Sequence, residues 1–314
     1  VVIIAVILAA AVYHYQNSSQ RNENLKSEPE RVEWLVDKNG YLSYPLDRGN
    51  VNFNRQDYEK DESLLVSKII YQSRGADIYG LLVMPTSAEE LLPGIVLLPG
   101  AGVSKESELE LAKKIASIDA AVLVIDQRGV GETTGKINSI EQDYIDFLNA
   151  KEPTQHLMVY DALRAYDLLY SAPFVDPERI MIAGESLGGK IALIAAAIDK
   201  NINGVLVISS AGFDFKDKGD LKKDAFIKSI DSDHYIELIA PRKLVMIHSI
   251  NDTIIPVSSA ANSFSKAQEP KQFILINDTS CNHGYCDSMY DGLEAALDYI
   301  VEIRSKTIVS VPVR

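Results

Sequence analysis

The sequence has few basic residues and few cysteines. Its 314 residues contain 31 Lys and Arg against 44 Asp and Glu, which gives a formal net charge of -13. Because nucleic acid is held mainly by Lys and Arg on phosphates, this balance and the lack of a clustered basic patch argue against nucleic-acid binding. The two cysteines, Cys281 and Cys286, are too few for a four-ligand structural zinc site. A local disulfide and two free thiols both stay open.

A hydrophobic run long enough to cross a membrane is also lacking. Residues 1–13 are apolar and uncharged, but a full span needs about 20 residues. The run fits a signal peptide, with residues 9–11 as a cleavage site, or the tail of an anchor; a buried strand or helix is the alternative. Residues 14–30 are polar and predict a tether, and residues 31–314 predict one folded domain. We therefore expect a secreted or membrane-anchored, extracytoplasmic protein, with cleavage of the run left open.

Strand-like and helix-like segments alternate along the folded part. With 46% hydrophobic and 24% charged residues, the composition is that of a soluble globular domain with a sizeable core. The alternation predicts an α/β fold with a mostly parallel sheet and crossover helices. Charged, irregular residues 214–233 leave room for a small lid at most. The predicted strands are residues 64–71, 78–84, 94–98, 121–125, 180–183, 205–208, 244–247 and 273–276, and the predicted helices are 106–118, 155–170, 187–198 and 292–303.

A short motif predicts the nucleophile. Residues 184–188 read Gly-Glu-Ser-Leu-Gly, which fits the G-x-S-x-G turn that exposes a serine between a strand and a helix. The apolar segments on both sides supply that strand and helix. Ser186 is therefore the predicted nucleophile, and the competing interpretation is a plain glycine-rich turn.

A serine needs a base and an acid, and the fold places them later in the chain. His283 lies in the loop after the last predicted strand, from which an imidazole can reach over the sheet to Ser186. Asp252 follows the strand at residues 244–247 and is the predicted acid, because a carboxylate at a strand's carboxyl end can hold the imidazole. Asp214, after an earlier strand, is the rival.

Two backbone N–H groups are expected to hold the oxyanion. Leu187, directly after the nucleophile, supplies the first. Small residues in Pro-Gly-Ala-Gly at 99–102 let the backbone approach a substrate, so Ala101 is the predicted second donor and Gly102 the alternative.

Together these segments and Asp-Gln-Arg-Gly-Val-Gly at residues 126–131 resemble the α/β-hydrolase superfamily. Within it, the chain is similar to dienelactone-hydrolase-like and acetyl-xylan-esterase-like proteins and to the catalytic domain of prolyl oligopeptidases. The resemblance implies a three-layer α/β fold, with an about eight-stranded, mostly parallel sheet, helices on both faces and a small lid or none. It also implies a triad of Ser186, Asp252 and His283.

The resemblance implies acyl transfer from an ester through an acyl-enzyme, with no metal or organic cofactor required. The expected partner is a small-molecule ester or a short peptide; the oligomeric state stays open. A prolyl-oligopeptidase-like peptidase is the first alternative, although residues 30–60 are too short for the gating domain such enzymes usually carry. The second alternative is an inactive binding protein on the same fold.

Overall fold

The computed structural model of the protein describes residues 34–88 and 90–303. The apolar run at 1–13 and the tether at 14–30 therefore lie outside the described residues. Within them, no helix is both long enough and apolar enough to cross a membrane.

One large mixed sheet organises the described chain. Its order is β11-β10-β9-β8-β6-β7-β5-β4-β3, and a separate antiparallel pair, β1 and β2, precedes it. One half of the sheet is parallel and consists, in spatial order, of β7, β6, β8, β9, β10 and β11. The other half is antiparallel: β7 pairs with β5, β5 with β4, and β4 with β3. The bounds are β1 Leu35–Val36, β2 Leu42–Ser43, β3 Phe53–Lys60, β4 Leu64–Ser73, β5 Ala76–Pro85, β6 Leu92–Leu98, β7 Ala121–Ile125, β8 Val175–Glu185, β9 Gly204–Ile208, β10 Lys243–Ser249 and β11 Lys271–Ile276.

Helices cover both faces of the sheet. The first and last of them, α1 and α7, pack with one face into a continuous apolar core, while α3 and α4 lie against β6 and β8. The inner strands β6, β7 and β9 are buried along their whole length, as expected when helices cover both faces. The helices are α1 Leu109–Ala116, α2 Ile140–Leu148, α3 Thr154–Tyr170, α4 Leu187–Ile198, α5 Leu221–Ser229, α6 Val257–Lys266 and α7 Tyr290–Val301.

The core draws alternate side chains from neighbouring strands. Ile95 and Leu97 of β6 and Val122 and Val124 of β7 face the same side, because side chains alternate along a strand. Each is almost completely buried. Burying such a side chain stabilises the fold by about 1.5–3 kcal/mol, so this cluster provides a rigid support for the loops at the sheet's edge.

The predicted α/β fold is confirmed, and the structure adds a ninth strand to the sheet. That strand, β3, has the sequence Phe-Asn-Arg-Gln-Asp-Tyr-Glu-Lys and is exposed throughout. It therefore lacks the alternation of apolar and polar residues by which a half-buried strand is predicted. Helices α2 and α6 were also missed, because they are short and surface-lying, and the charged segment at 214–233 contains α5.

Candidate active site

Ser186 lies at a sharp turn between β8 and α4. Its backbone is left-handed, with φ 49° and ψ −114°, a conformation that costs a non-glycine residue energy and that occurs where a function requires it. The Ser186 N–H donates to the Ile208 carbonyl at 3.0 Å, and the Ser210 hydroxyl donates to the Ser186 carbonyl at 2.6 Å. Because Ile208 ends β9 and Ser210 follows it two residues later, the neighbouring strand and the start of its loop hold the turn.

Two glycines make this turn possible. A Cβ at Gly188 would collide with the Leu98 carbonyl at the end of β6, and a Cβ at Gly184 would collide with the backbone of Gly188. The strand and the helix therefore approach so closely that only glycine fits at either position. This packing is the physical reason for the two glycines of the motif.

The proposed oxyanion donors belong to two segments that meet at Ser186. Leu187 is the first residue of α4, so its N–H has no acceptor within the helix and points out of the positive helix end. A Cβ built on Gly100 would lie only 3.6 Å from the Ser186 Cβ. Ala101, the next residue, is exposed and hence accessible to a substrate.

The segment after β7 holds the loop of Ala101 in place. Gln127 Nε2 donates to the Pro99 carbonyl at 2.6 Å. The fully buried Asp126 accepts from the Lys105 N–H at 2.6 Å and pairs with the Lys105 ammonium at 2.8 Å. The loop is thus fixed at both ends by neighbouring side chains.

His283 and Asp252 are joined directly. His283 Nδ1 lies 2.9 Å from Asp252 Oδ2, which leaves Nε2 of the imidazole available for a proton transfer. Asp252 Oδ1 accepts from the N–H groups of Ile254 and Ile255 at 2.9 and 2.8 Å. Burial acts to raise the pKa of Asp252, but the N–H of Ile255 and the His283 ring outweigh it, and the net shift is downward. The carboxylate is therefore held in its charged form.

The loop that carries His283 is closed by a disulfide. Cys281 and Cys286 are bonded, so both cysteines of the chain are used and the open question about them is resolved. The Ser249 hydroxyl donates to the Cys281 carbonyl at 2.6 Å, and Asn282 Oδ1 accepts from the Thr253 N–H at 2.8 Å. These contacts tie the histidine loop to the segment that carries Asp252.

The same loop also contacts the residue that precedes the nucleophile. A hydrogen bond from the Tyr285 N–H reaches the Glu185 carboxylate, and a Cβ on Gly284 would lie 3.0 Å from Glu185 Oε2. Glu185 Oε1 is buried without a hydrogen-bond partner. Glu185 thus connects the histidine loop to the nucleophile turn.

A second buried carboxyl group, that of Glu108, faces Glu185. Burial, together with the negative charge of Glu185, raises the pKa of Glu108 from 4.5 to about 8. Burial also raises the pKa of Glu185, although the Tyr285 N–H and His283 oppose that shift. Since like charges in a buried site cannot both ionise cheaply, the pair retains a proton at neutral pH.

Replacing Glu108 by glutamine is expected to change how stability depends on pH. Between pH 4.5 and about 8 the folded protein keeps a proton on Glu108 that the unfolded chain has lost, so the free energy of unfolding falls as pH rises through this window. Glutamine has the same shape and does not titrate. The melting temperatures of Glu108→Gln and the parent should therefore be similar at pH 5, with the variant several degrees higher at pH 8.5.

The exposed Glu110→Gln is the matched control, because its side chain is 82% exposed. It should follow the parent at both pH values. Parallel melting curves for Glu108→Gln and the parent across the whole range would show that Glu108 carries no retained proton.

The structure brings the predicted site residues to one edge of the sheet. Ser186 and His283 follow β8 and β11, and Asp252 follows β10, so all three lie beyond the carboxyl ends of parallel strands. The rival acid, Asp214, instead pairs with Lys266 at 2.8 Å and does not contact His283. The hydrogen bond from the Ser186 hydroxyl to the imidazole stays a prediction; such bonds often form only with substrate bound.

Sequence reasoning gave no role to Gln127, Glu185 or Glu108. Gln127 lies in the Asp-Gln-Arg-Gly segment, which contributes to the resemblance but carries no predicted role. Glu185 occupies a variable position of G-x-S-x-G, and its contact with Glu108 joins distant parts of the chain. In the described part of the chain, no group of three or more His, Cys, Asp or Glu side chains is arranged to hold a metal ion.

Residues 46–244, more than half of the chain, match the acetyl xylan esterase (AXE1) family. Among curated proteins, the uncharacterized protein YfhR of Escherichia coli K12 is 26% identical over 190 residues, which are 56% of this chain and 61% of that protein. The chain thus spans about half to three fifths of the length of the first curated relatives it matches.

Solved structures that share the fold include two acetyl xylan esterases. An acetyl xylan esterase from Paenibacillus sp. R4 superposes with a TM-score of 0.68 at 19% identity and covers 81% of this chain and 90% of its own. Acetyl xylan esterase 1 from Thermoanaerobacterium sp. JW/SL YS485 superposes with a TM-score of 0.62 at 15% identity and covers 82% and 89%. At these identities the likeness concerns the fold.

Proposed function

Because the chain belongs to the acetyl xylan esterase family, we propose that it is a serine hydrolase that cleaves carboxylic esters through an acyl-enzyme on Ser186. One observation carries the proposal: the 2.9 Å contact between His283 and Asp252, at the same sheet edge as the strained Ser186. A positioned imidazole whose other nitrogen is held by a carboxylate is what a serine hydroxyl needs to become a nucleophile.

The first half of the reaction forms the acyl-enzyme. The Ser186 oxygen attacks the ester carbonyl while His283 Nε2 takes the hydroxyl proton, and the Asp252 carboxylate stabilises the imidazolium. The N–H groups of Leu187 and Ala101 hold the oxyanion of the tetrahedral intermediate. When the intermediate collapses, the bond to the alcohol breaks and His283 returns its proton to the leaving oxygen.

The second half releases the acid. His283 takes a proton from a water molecule, which attacks the acyl carbonyl, and the same N–H groups hold the second oxyanion. Collapse breaks the bond to Ser186, whose oxygen recovers the proton from His283. In both halves His283 accepts the proton from the attacking oxygen and returns it to the leaving oxygen.

A fluorophosphonate probe tests the nucleophile directly, because such probes label serines that an adjacent base activates. We expect one adduct on the peptide that contains Ser186, found by mass spectrometry of the digested protein. Heat-denatured protein is the control and should stay unlabelled. An intact, folded protein without an adduct, or with an adduct on another serine only, would contradict the proposal.

A substrate panel separates esterase from peptidase activity. Short-chain p-nitrophenyl esters should be hydrolysed, whereas peptide naphthylamides should be hydrolysed slowly or not at all. The reverse order would support the peptidase alternative. A folded protein that binds esters without turnover would support the inactive alternative.

We also propose that the domain works outside the cytoplasm. The bond between Cys281 and Cys286 supports this location, since disulfides persist in oxidising compartments and are rare in the cytosol. Residues 1–13, the proposed signal or anchor, lie outside the described residues. Mass analysis of the purified membrane fraction would show whether they are retained.

A further inference from the structure

Lys190 lies close to the nucleophile on the helix that follows it. It is four residues after Ser186, and its N–H donates to the Ser186 carbonyl at 3.3 Å. Residues four apart share one face of a helix, and their side chains lean toward the helix N-terminus. The Lys190 side chain therefore extends from α4 on the side of Ser186.

An aromatic ring covers the Lys190 ammonium. Its Nζ lies 3.8 Å from the centre of the Phe213 ring, within the range of a cation–π contact. Phe213 lies in the loop after β9, three residues beyond Ser210, whose hydroxyl holds the Ser186 carbonyl. The ring is 40% exposed, so one part of it contacts Lys190 and another part stays accessible.

Lys190 differs from Lys105 and Lys266, two other poorly exposed lysines, in having no carboxylate partner. Lys105 pairs with three carboxylates, and Lys266 pairs with those of Asp214 and Asp233. Within residues 34–88 and 90–303, no carboxylate lies within 4.0 Å of the Lys190 ammonium, and no hydrogen-bond acceptor contacts it. The half-buried ammonium keeps only part of its contact with water and has no anion beside it, so it is a natural binding partner for an anion.

The negative charge that acts on Lys190 is that of Asp231, and it is not in contact with the ammonium. Asp231 attracts Lys190 from a distance, but its carboxylate accepts from the N–H groups of Phe213 and Asp233 at 2.8 and 3.1 Å. Burial lowers the pKa of Lys190 to about 8, with Asp231 opposing the shift. At pH 7 most molecules therefore carry the positive charge on Lys190, four residues after the nucleophile.

We propose that Lys190 and Phe213 form an anion-binding subsite, so that the preferred ester substrates carry a carboxylate. This inference rests on the proposed function and specifies its substrate class. The ammonium would pair with the carboxylate, and the exposed part of the Phe213 ring would contact the adjoining apolar atoms of the substrate. In a protein with a net charge of -13, a local positive site would offset the repulsion of an anionic substrate by the protein's overall charge.

Matched pairs of charged and neutral esters test the subsite. Monoethyl and diethyl glutarate differ in a carboxylate on the acyl side. 4-Acetoxybenzoic acid and its methyl ester differ in a carboxylate on the alcohol side. For at least one pair at pH 7, the parent protein should have a higher kcat/KM for the charged ester, and the pair that shows it identifies the side that faces Lys190.

The Lys190→Gln variant should lower the charged-to-neutral ratio of kcat/KM by about tenfold, as expected for losing one charged hydrogen bond. Lys190→Arg should restore most of the ratio. Exposed Lys200→Gln is the matched control and should leave the ratio at the parental value. The lowered ratio should appear mainly in KM, because the subsite binds the substrate.

The outcomes separate this inference from the proposed function. Hydrolysis of both members of each pair without a charge preference, or an equal loss for both in Lys190→Gln, would overturn the subsite alone. No hydrolysis of any ester, together with no fluorophosphonate adduct on Ser186, would overturn the proposed function, and the subsite with it.

Discussion

Replacing Ser186 by alanine is expected to lower kcat for ester hydrolysis by about 10⁴- to 10⁶-fold. Alanine removes the oxygen that forms the acyl-enzyme, while the oxyanion donors and the His283–Asp252 pair stay in place. Some hydrolysis above the rate in water should therefore remain, because binding and oxyanion stabilisation still operate. KM should change much less than kcat. Initial rates on a p-nitrophenyl ester measure both constants.

Two checks distinguish a chemical loss from a folding defect. The Ser186→Ala protein should melt within a few degrees of the parent, because alanine fits the turn's space even though its left-handed backbone stays unfavourable. Exposed Ser87→Ala is the control and should retain the parental activity. A Ser186→Ala protein that melts like the parent and keeps a tenth of its activity would refute an acyl-enzyme on this residue.

Replacing Asp252 by asparagine is expected to lower kcat by about 10⁴-fold. The Asp252 carboxylate receives the Nδ1–H of His283 at 2.9 Å and so leaves Nε2 unprotonated and able to act as a base. An asparagine amide in the same place can donate instead, which favours the wrong tautomer. The loss should appear in kcat, since neither side chain is proposed to bind the substrate.

Asp214→Asn is the matched control, because it removes a carboxylate from the rival position. Asp214 pairs with Lys266 and Lys216 at the surface, so its loss should change kcat less than twofold. Measuring both variants on one ester decides between the two acids. A large loss in Asp214→Asn with a small one in Asp252→Asn would reverse the assignment.

The parts of the fold that were predictable are those whose residues carry a pattern. The buried parallel strands form apolar runs; β7 has the predicted bounds, and α4 begins directly after the predicted turn. Edge strand β3 was missed because all its side chains are exposed, so its sequence does not alternate between apolar and polar residues. Short α2 was missed because its buried residues include Asp143 and Asp146, which hydrophobic periodicity does not count.

The site likewise has a part that the sequence pattern predicts and a part that it does not. Ser186 is in a motif whose glycines are required by close packing. Because this fold places the acid and then the histidine after the nucleophile in the chain, Asp252 and His283 could also be predicted. The partners of Glu185 and the unpaired state of Lys190 depend instead on which distant side chains meet. A residue's type does not reveal its partners, so neither feature was predictable from the sequence alone.

The ring that encloses His283 has a consequence for how the protein matures. The bonded cysteines are only five positions apart, and the chain contains no third cysteine. Residues 1–314 therefore allow one pairing within a molecule, and a wrong pairing of these two cysteines requires a second molecule. Within these residues, closing the loop requires an oxidant but no reshuffling of disulfides.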